Sequence, residues 1–373
     1  MNFLQVKQLQ IPEGDVKEIS AGGVTLWRKP TIYGASWGRN TSNTWTRTDA
    51  SASFANPTVG TGTTKGSSSF DNCYPWKDIK KVTDGNNTLV QIPKFWFKWT
   101  VNSSKIALQI ADWPIEGFHV SPMHADRGDG KGERDYAYIG RYRCGNSNYY
   151  SKTGVAPQAS ISITTARSKI KALGTGYYQM DFAAFWTLRM LYLVEFANWD
   201  AFSVIPRPND PTYANVKSGY TDAMTYHTGT SANGYSFQYR YVEDPWVGML
   251  EWCDGIYFKN KGVYVINNPN NFSNTANGTL VANEPTAGSE LYIKNFAAPT
   301  VAGYEWALFP SELSSTLSNC VPDTYYQTAT PGVAMYIGGS TAVSYKHGPF
   351  FMYCDFSASG TSSYVGARLM KLP

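Results

Sequence analysis

The chain has 373 residues, of which 42% are hydrophobic, 15% aromatic and only 16% charged, with a formal net charge of +4. That balance excludes disorder as the main state and leaves Ser, Thr, Asn, Gly and Tyr to make the surface polar. Lys and Arg are scattered, with no basic run beyond Lys80–Lys81, so the electrostatic footprint of a nucleic-acid binder is missing.

The length suits two domains or one large fold with insertions. No window approaches the ~18 uninterrupted apolar residues of a membrane span. The opening MNFLQVKQLQIPEGDVKEI has no apolar signal region, so synthesis in the cytoplasm without a signal peptide or membrane insertion is expected. Five cysteines (Cys73, Cys144, Cys253, Cys320, Cys354) are odd in number and widely separated. They signal neither a disulfide framework nor a zinc site, and buried free thiols are expected.

Residues 1–30 read as a small β unit: VKQLQI, DVKEIS and VTLWR are strand-like, with a Gly-Gly turn before the last. Thirty residues cannot bury a core alone, so the unit is either an edge hairpin of the main domain or an assembly and attachment module. Residues 31–75 are rich in Ser, Thr, Gly and Asn, and Trp37 and Trp45 predict a long loop pinned by aromatic anchors. LVQIPKFWFKWTV and KIALQIA alternate around the polar turn Asn102–Ser104 and predict a hairpin. Thr164 or Thr165 is expected to cap a helix ending at Gly174. The stretch DFAAFWTLRMLYLVEFANWD spaces its apolar residues by three and four, predicting a central helix with one apolar face. Beyond Trp199 the chain reads as loops and short strands. The expected class is α+β, with two helices packed on strands.

The chemistry-bearing residues are sparse. In HADRGDGKGERD, Asp126, Asp129, Glu133 and Asp135 offer oxygens that suit calcium, although the EF-hand order is not met; the other reading is a solvated turn with internal arginine–carboxylate pairs. The Arg127-Gly128-Asp129 tripeptide reads as a turn. His119, His124, His227 and His347 are too few and too scattered for a metal or acid–base centre, and no nucleophile elbow or phosphate loop occurs. Glu195 reads as a core hydrogen-bonding residue. DPWVGMLEWCDGIYF (Asp244–Phe258) reads as a rigid aromatic-lined junction.

Three segments carry a resemblance. PWVGMLEWCDG is similar to the Gly-Asn-Val-x-Glu-Trp signature of the C-type lectin-fold branch that includes formylglycine-generating enzymes, departing from it at Val247 and Met249. The helices within 165–197 would be that fold's pair, and the closing VGARL resembles its terminal Gly-x-Arg strand. From about residue 31 onward the chain resembles C-type lectin-fold proteins of temperate phages, in SFDNCYPWKDIKKV, LVQIPKFWFKW, GDGKGERDYAYIGRY and FWTLRMLYLVEFANWD. Many of these are variable proteins of diversity-generating retroelements. Their C-terminal pattern is matched here at Gly348, Pro349, Phe350, Cys354, Ser357, Ala358, Ser359, Gly366, Arg368 and Leu369.

In such systems template adenines are randomised, so an Asn codon varied at its first two bases yields Tyr, Asp, Phe, Gly, Ser, Thr, Val, Ala or His. Tyr353, Asp355, Phe356, Gly360, Ser362 and Tyr364 belong to that set, as do Thr341, Ala342, Val343, Tyr345 and His347; Lys346 and Met352 do not. The resemblance therefore implies a variable binding region at about 338–370 within a domain spanning 31–373. It implies a non-catalytic receptor-binding protein of a phage tail or fibre, located in the virion beside other tail proteins. A homotrimer and a bacterial surface protein or glycan as target belong to the same expectation. Two other readings are a fixed-specificity lectin-like protein and a formylglycine-generating type of oxidase. The oxidase would need a close cysteine pair or a third ligand beside His119 and His124, and neither is present in the sequence.

Overall fold

The Phe182–Phe196 helix, α2 here because Ile163–Lys171 (α1) precedes it, is buried on every side in the computed structural model. That model describes residues 9–11, 14–39, 41–208, 217–275, 277–285, 287–327, 333–339 and 347–373. Asp181 starts α2, its Oδ1 accepting the Ala184 N–H at 2.9 Å, and Ala197 ends it in the left-handed region at φ 51°. The three-and-four spacing predicted one apolar face. Instead the polar residues are internal as well: Thr187 donates its hydroxyl to the Ala183 carbonyl at 2.8 Å. Glu195 accepts Arg240 (2.5 and 3.0 Å), the Tyr239 hydroxyl (3.0 Å) and the Ser68 hydroxyl (2.9 Å). It is thus a core hydrogen-bonding residue. The α1 cap is Ser162, whose Oγ accepts the Thr165 N–H at 3.2 Å, rather than Thr164 or Thr165.

The expectation of an α+β C-type lectin fold is overturned. The protein is mainly β, with about 38% of residues in strands against 11% in helices, and its large sheet is curled as a half-barrel. That sheet runs, in spatial order, through Thr279–Asn283, Gly262–Val265, Leu250–Lys259, Val333–Ile337, Met352–Ser357, Val321–Gln327, Leu291–Ala297 and Phe309–Ser314, with Val365–Gly366 also on Leu250–Lys259. The segment beyond Trp199, expected to hold loops and short strands, supplies all of it. The reason lies in burial: Leu250–Lys259 is covered on both faces, with Glu251 and Asp254 buried among its apolar residues, so LEWCDGIYFK shows no alternation of apolar and polar positions.

Besides a four-stranded sheet of Val242–Glu243, Phe237–Tyr239, Gly229–Thr230 and Gly60–Thr61, two five-stranded sheets complete the framework. One orders His119–Val120, Trp96–Val101, Lys105–Ala111, Ile32–Gly38 and Thr46–Asp49; the other Tyr177–Gln179, Leu369–Lys371, Tyr136–Gly140, Asn87–Pro93 and Lys80–Asp84. The predicted hairpin is Trp96–Val101 with Lys105–Ala111, whereas the preceding LVQIP belongs to the second sheet. The 31–75 region is not loop throughout, since three of its segments (Ile32–Gly38, Thr46–Asp49 and Gly60–Thr61) are strands, but Trp37 and Trp45 do anchor it, both packing on Trp199. Among the described residues the N-terminal strands pair only with one another, as Leu9–Ile11 with Gly14–Val16 and Glu18–Ala21 with Val24–Arg28. Arg28 then reaches Asp112 at 3.1 Å. All five cysteines are free, and Cys73 alone is not fully buried.

The last strand, Leu369–Lys371, lies inside its sheet between Tyr177–Gln179 and Tyr136–Gly140. Arg368 holds it there. Its Nε and Nη2 donate to the two carboxylate oxygens of Glu251 at 3.0 and 2.9 Å. Nη1 donates to the Gly140 and Arg141 carbonyls at 2.9 and 3.0 Å, and Nη2 also to the Glu243 and Asp244 carbonyls at 2.9 and 3.1 Å. Both side chains are buried. Arg368→Ala leaves the buried Glu251 carboxylate with Arg143 as its one cation and removes the donor to four carbonyls, and is expected to cost about 3–5 kcal/mol in urea unfolding. Arg368→Lys, which keeps the charge but not the planar fork, should recover only part of that loss.

Candidate functional site

The strand Met352–Ser357 lies between two others, antiparallel to Val333–Ile337 and parallel to Val321–Gln327. Its side chains divide by face. Met352 and Cys354 are buried in the main core, whereas Tyr353 and Phe356 are half-buried on a second cluster containing Trp252 and Tyr336. Simple alternation would set Tyr353 and Phe356 on opposite faces. A bulge prevents this: Tyr353 pairs with Tyr336 but Phe356 with Ala334, so three steps on one strand match two on the other. The extra residue lies between Cys354 and Phe356, where the backbone of Asp355 runs.

The result is a layered aromatic face. Trp252 and Tyr336 form its floor, fully buried with ring centroids 4.3 Å apart, and the Trp252 indole N–H donates to the Ile161 carbonyl at 2.7 Å. Phe356 lies 4.9 Å from Tyr336, and Tyr353 lies 4.7 Å from Tyr326 of the neighbouring strand. Tyr364 stands at the rim, 52% exposed. Gly360 and Ser362 are partly exposed, and Ser362 accepts the Ser160 N–H at 3.0 Å through its carbonyl.

Both ends of this segment are clamped. Asp323, wholly buried, accepts the Gly348 N–H at 2.6 Å on one oxygen and the Phe350 N–H at 2.8 Å on the other. A Cβ on Gly348 would sit 2.5 Å from that carboxylate, so no other residue fits without a shift. From the opposite side Arg189 of α2 donates to the Pro349 carbonyl and also to that of Phe185 at 3.0 Å. Phe350 packs edge-on against Trp199 at 4.7 Å. At the far end Gly366 is pressed on Met249 and the Gln158 carbonyl, immediately before Arg368. Burial pushes Asp323 up to about 8 and Arg189 down to about 9.

Of the residues that the sequence nominates, Tyr353, Phe356, Gly360, Ser362 and Tyr364 come together here. Asp355 shares their strand. His347 does not face outward: it is buried, with Nε2 3.1 Å from a Glu290 oxygen and its ring 3.9 Å from that of Phe351. Thr341, Ala342, Val343 and Tyr345 lie outside the described residues. Sequence reasoning missed Tyr326, Tyr336 and Trp252. The first two sit in VPDTYYQ and VAMYI, which do not alternate apolar with polar and so carried no period-two signal.

The acidic stretch is a turn of paired groups. Asp126 accepts the Gly128 N–H at 2.9 Å; Asp129 accepts the Lys131 N–H at 3.2 Å and pairs with Arg134. Glu133 and Asp135 share Lys94, at 3.6 and 3.0 Å, while Asp126 and Asp129 are engaged elsewhere in the turn. Among the described residues no three His, Cys, Asp or Glu side chains are grouped to hold a metal. His124 is fully buried between Ser121 Oγ (2.7 Å) and the Ile92 carbonyl (2.9 Å), and burial lowers its pKa to about 4.

Compared with protein-family models and with curated proteins, the chain matches none.

Two predictions follow from these contacts. A Cβ on Gly360 would lie 2.4 Å from the Phe356 ring, so the two positions are coupled. Gly360→Ser should cost about 1–3 kcal/mol beside Phe356 and distinctly less in the Phe356→Ser background, a double-mutant cycle read by thermal unfolding. The raised Asp323 pKa has a definite sign: from pH 4 to about 8 the folded state holds a proton that the unfolded chain has released. Stability therefore falls as pH rises through that window, and Asp323→Asn should flatten the Asp323 part of the slope in urea titrations at successive pH values.

Proposed function

We propose that the chain is a non-catalytic receptor-binding protein whose C-terminal face is diversified by a retroelement. The observation that carries this reading is the division of labour along residues 348–368. Gly348, Pro349, Phe350, Cys354, Gly366 and Arg368 point inward or are gripped by Asp323, Arg189 and Glu251. Tyr353, Phe356, Gly360, Ser362 and Tyr364 sit between these clamps, on the outer side of the strand or in the turn after it. A surface that is to be rewritten needs side chains whose identity the backbone does not depend on, on elements held rigid by others. Tyrosine, serine and glycine are what binding loops favour, since Tyr offers a large amphipathic contact area with few rotatable bonds.

In this reading the protein sits at the tip of a phage tail or fibre, the N-terminal β unit attaches it to the particle, and three copies assemble. Its target is a bacterial surface component. The resemblance to retroelement-variable phage proteins supports these particulars by analogy.

The test is genetic and direct. DNA around the gene should contain a reverse transcriptase and a near-copy of the 3′ end that differs only at adenines in the codons for Tyr353, Asp355, Phe356, Gly360, Ser362 and Tyr364. A gene without such a copy excludes the diversification and leaves a binding protein of fixed specificity. A physical test runs beside it. Tyr364→Ser should change stability by less than about 0.5 kcal/mol, whereas Gly348→Ala should cost about 1–3 kcal/mol by overpacking against Asp323, both read by thermal unfolding.

A further inference from the structure

The large sheet is curled as a half-barrel and so keeps two edges, Thr279–Asn283 and Phe309–Ser314. Both line one groove of about 370 Å³, whose wall is completed by residues 297–301. Sheet edges are ordinarily guarded by charge, by proline or by shortness. Phe309–Ser314 carries Pro310 and Glu312, the latter paired with Lys294. At the edges of the two five-stranded sheets, Thr46–Asp49 and Lys80–Asp84 carry charges, while His119–Val120 and Tyr177–Gln179 are two and three residues long. Among the described residues Thr279–Asn283 is the one edge strand longer than three residues that has neither charge nor proline.

Two features of the groove select its occupant. No charged side chain lines it, and Leu280, 45% exposed, stands there with Ala297, Pro299, Phe309 and Pro310. The same wall also presents main-chain polar groups. Among the described residues Thr279–Asn283 pairs on one side only, with Gly262–Val265. The Glu284 N–H turns inward to the Lys261 carbonyl at 2.9 Å, so the alternation of an antiparallel ladder turns the backbone N–H and C=O of Asn283 outward. A lipid tail or other apolar molecule in the groove would cover those groups without replacing their hydrogen bonds to water, leaving them buried and unpaired. An extended polypeptide covers the apolar surface and supplies the hydrogen bonds together.

We propose that this edge is a docking site for an extended segment of a partner protein, uncharged and apolar at alternate positions, which adds to the sheet as a further strand beside Thr279–Asn283. The five residues of the edge offer ~17 Å of backbone to it. The site is separate from the face at Tyr353 and Phe356. Met352–Ser357 lies four strands further along the same sheet, about 19 Å across its surface, so neither reading depends on the other.

The experiment pans a displayed library of random dodecapeptides on the full chain and measures the enriched peptides by fluorescence anisotropy. Leu280→Lys puts on this edge the kind of charge that other edges carry. It should weaken binding more than about tenfold with an unchanged melting temperature, whereas Leu317→Lys, at a similarly exposed leucine outside the groove, should leave binding as it was. N-methylation of alternate peptide nitrogens keeps the side chains but removes strand donors, and should weaken binding by about tenfold or more. Bound peptide should also slow amide exchange at Asn283. Peptides that bind equally well after N-methylation reveal an apolar pocket and overturn the added strand. Failure to enrich any peptide that Leu280→Lys weakens overturns the docking site. A chain that sediments as a dimer, and as a monomer once Leu280→Lys is introduced, assigns the edge to a second copy and overturns the partner segment.

Discussion

The Arg368–Glu251 pair is the constraint on which the C-terminal half depends. One guanidinium ties the last strand to the middle of the large sheet and to four carbonyls from two other segments. Arg143 adds a second cation to the same carboxylate at 2.8 Å. Buried charges are tolerated only where their hydrogen-bonding capacity is nearly filled, and a planar fork meeting both a carboxylate and carbonyls achieves this where a lysine would not. Because the chain is pinned here and again at Gly348–Phe350, the segment between has both ends fixed by the core. Loop-closure entropy is then met by the frame and not by the side chains between the two clamps.

Helix α2 connects this clamp to the rest of the molecule. Its apolar residues are shared among several sheets, and two of its charges extend its influence beyond packing. Arg189 grips the Pro349 carbonyl next to the binding strand, and Glu195 holds Arg240 at the other end of the helix. A charge that far from water needs a partner wherever it lies, so each one specifies which loop must pack on the helix. The helix thus sets the register of surfaces it does not itself form.

The aromatic face at Tyr353 and Phe356 follows from a bulge laid on that frame. Without the extra residue before Phe356, a large apolar ring would turn into the core beside Cys354, and the face would lose half its area. With it, Tyr353 and Phe356 share a floor of Trp252 and Tyr336. The rings support each other laterally, which makes the face rigid and also leaves Phe356 and Gly360 dependent on one another.

Local signals determined a good part of this protein. The 3.6-residue spacing marked α2, the alternation of FWFKWTV and KIALQIA marked a hairpin, and the codon-compatible residues Tyr353, Phe356, Gly360, Ser362 and Tyr364 marked one surface, because periodicity and residue type are properties of neighbouring positions. Tertiary structure decided the rest. The class became mainly β because the strands beyond Trp199 are buried on both faces or interrupted by bulges, and neither state leaves a period of two in the sequence. His347 looked like its variable neighbours yet is drawn inward by Glu290, more than fifty positions away. Tyr326 and Tyr336 joined the face through cross-strand pairing, and Glu251 met Arg368 across a separation of 117 residues. Such contacts carry no local signature; they exist only once sheet order brings distant segments side by side.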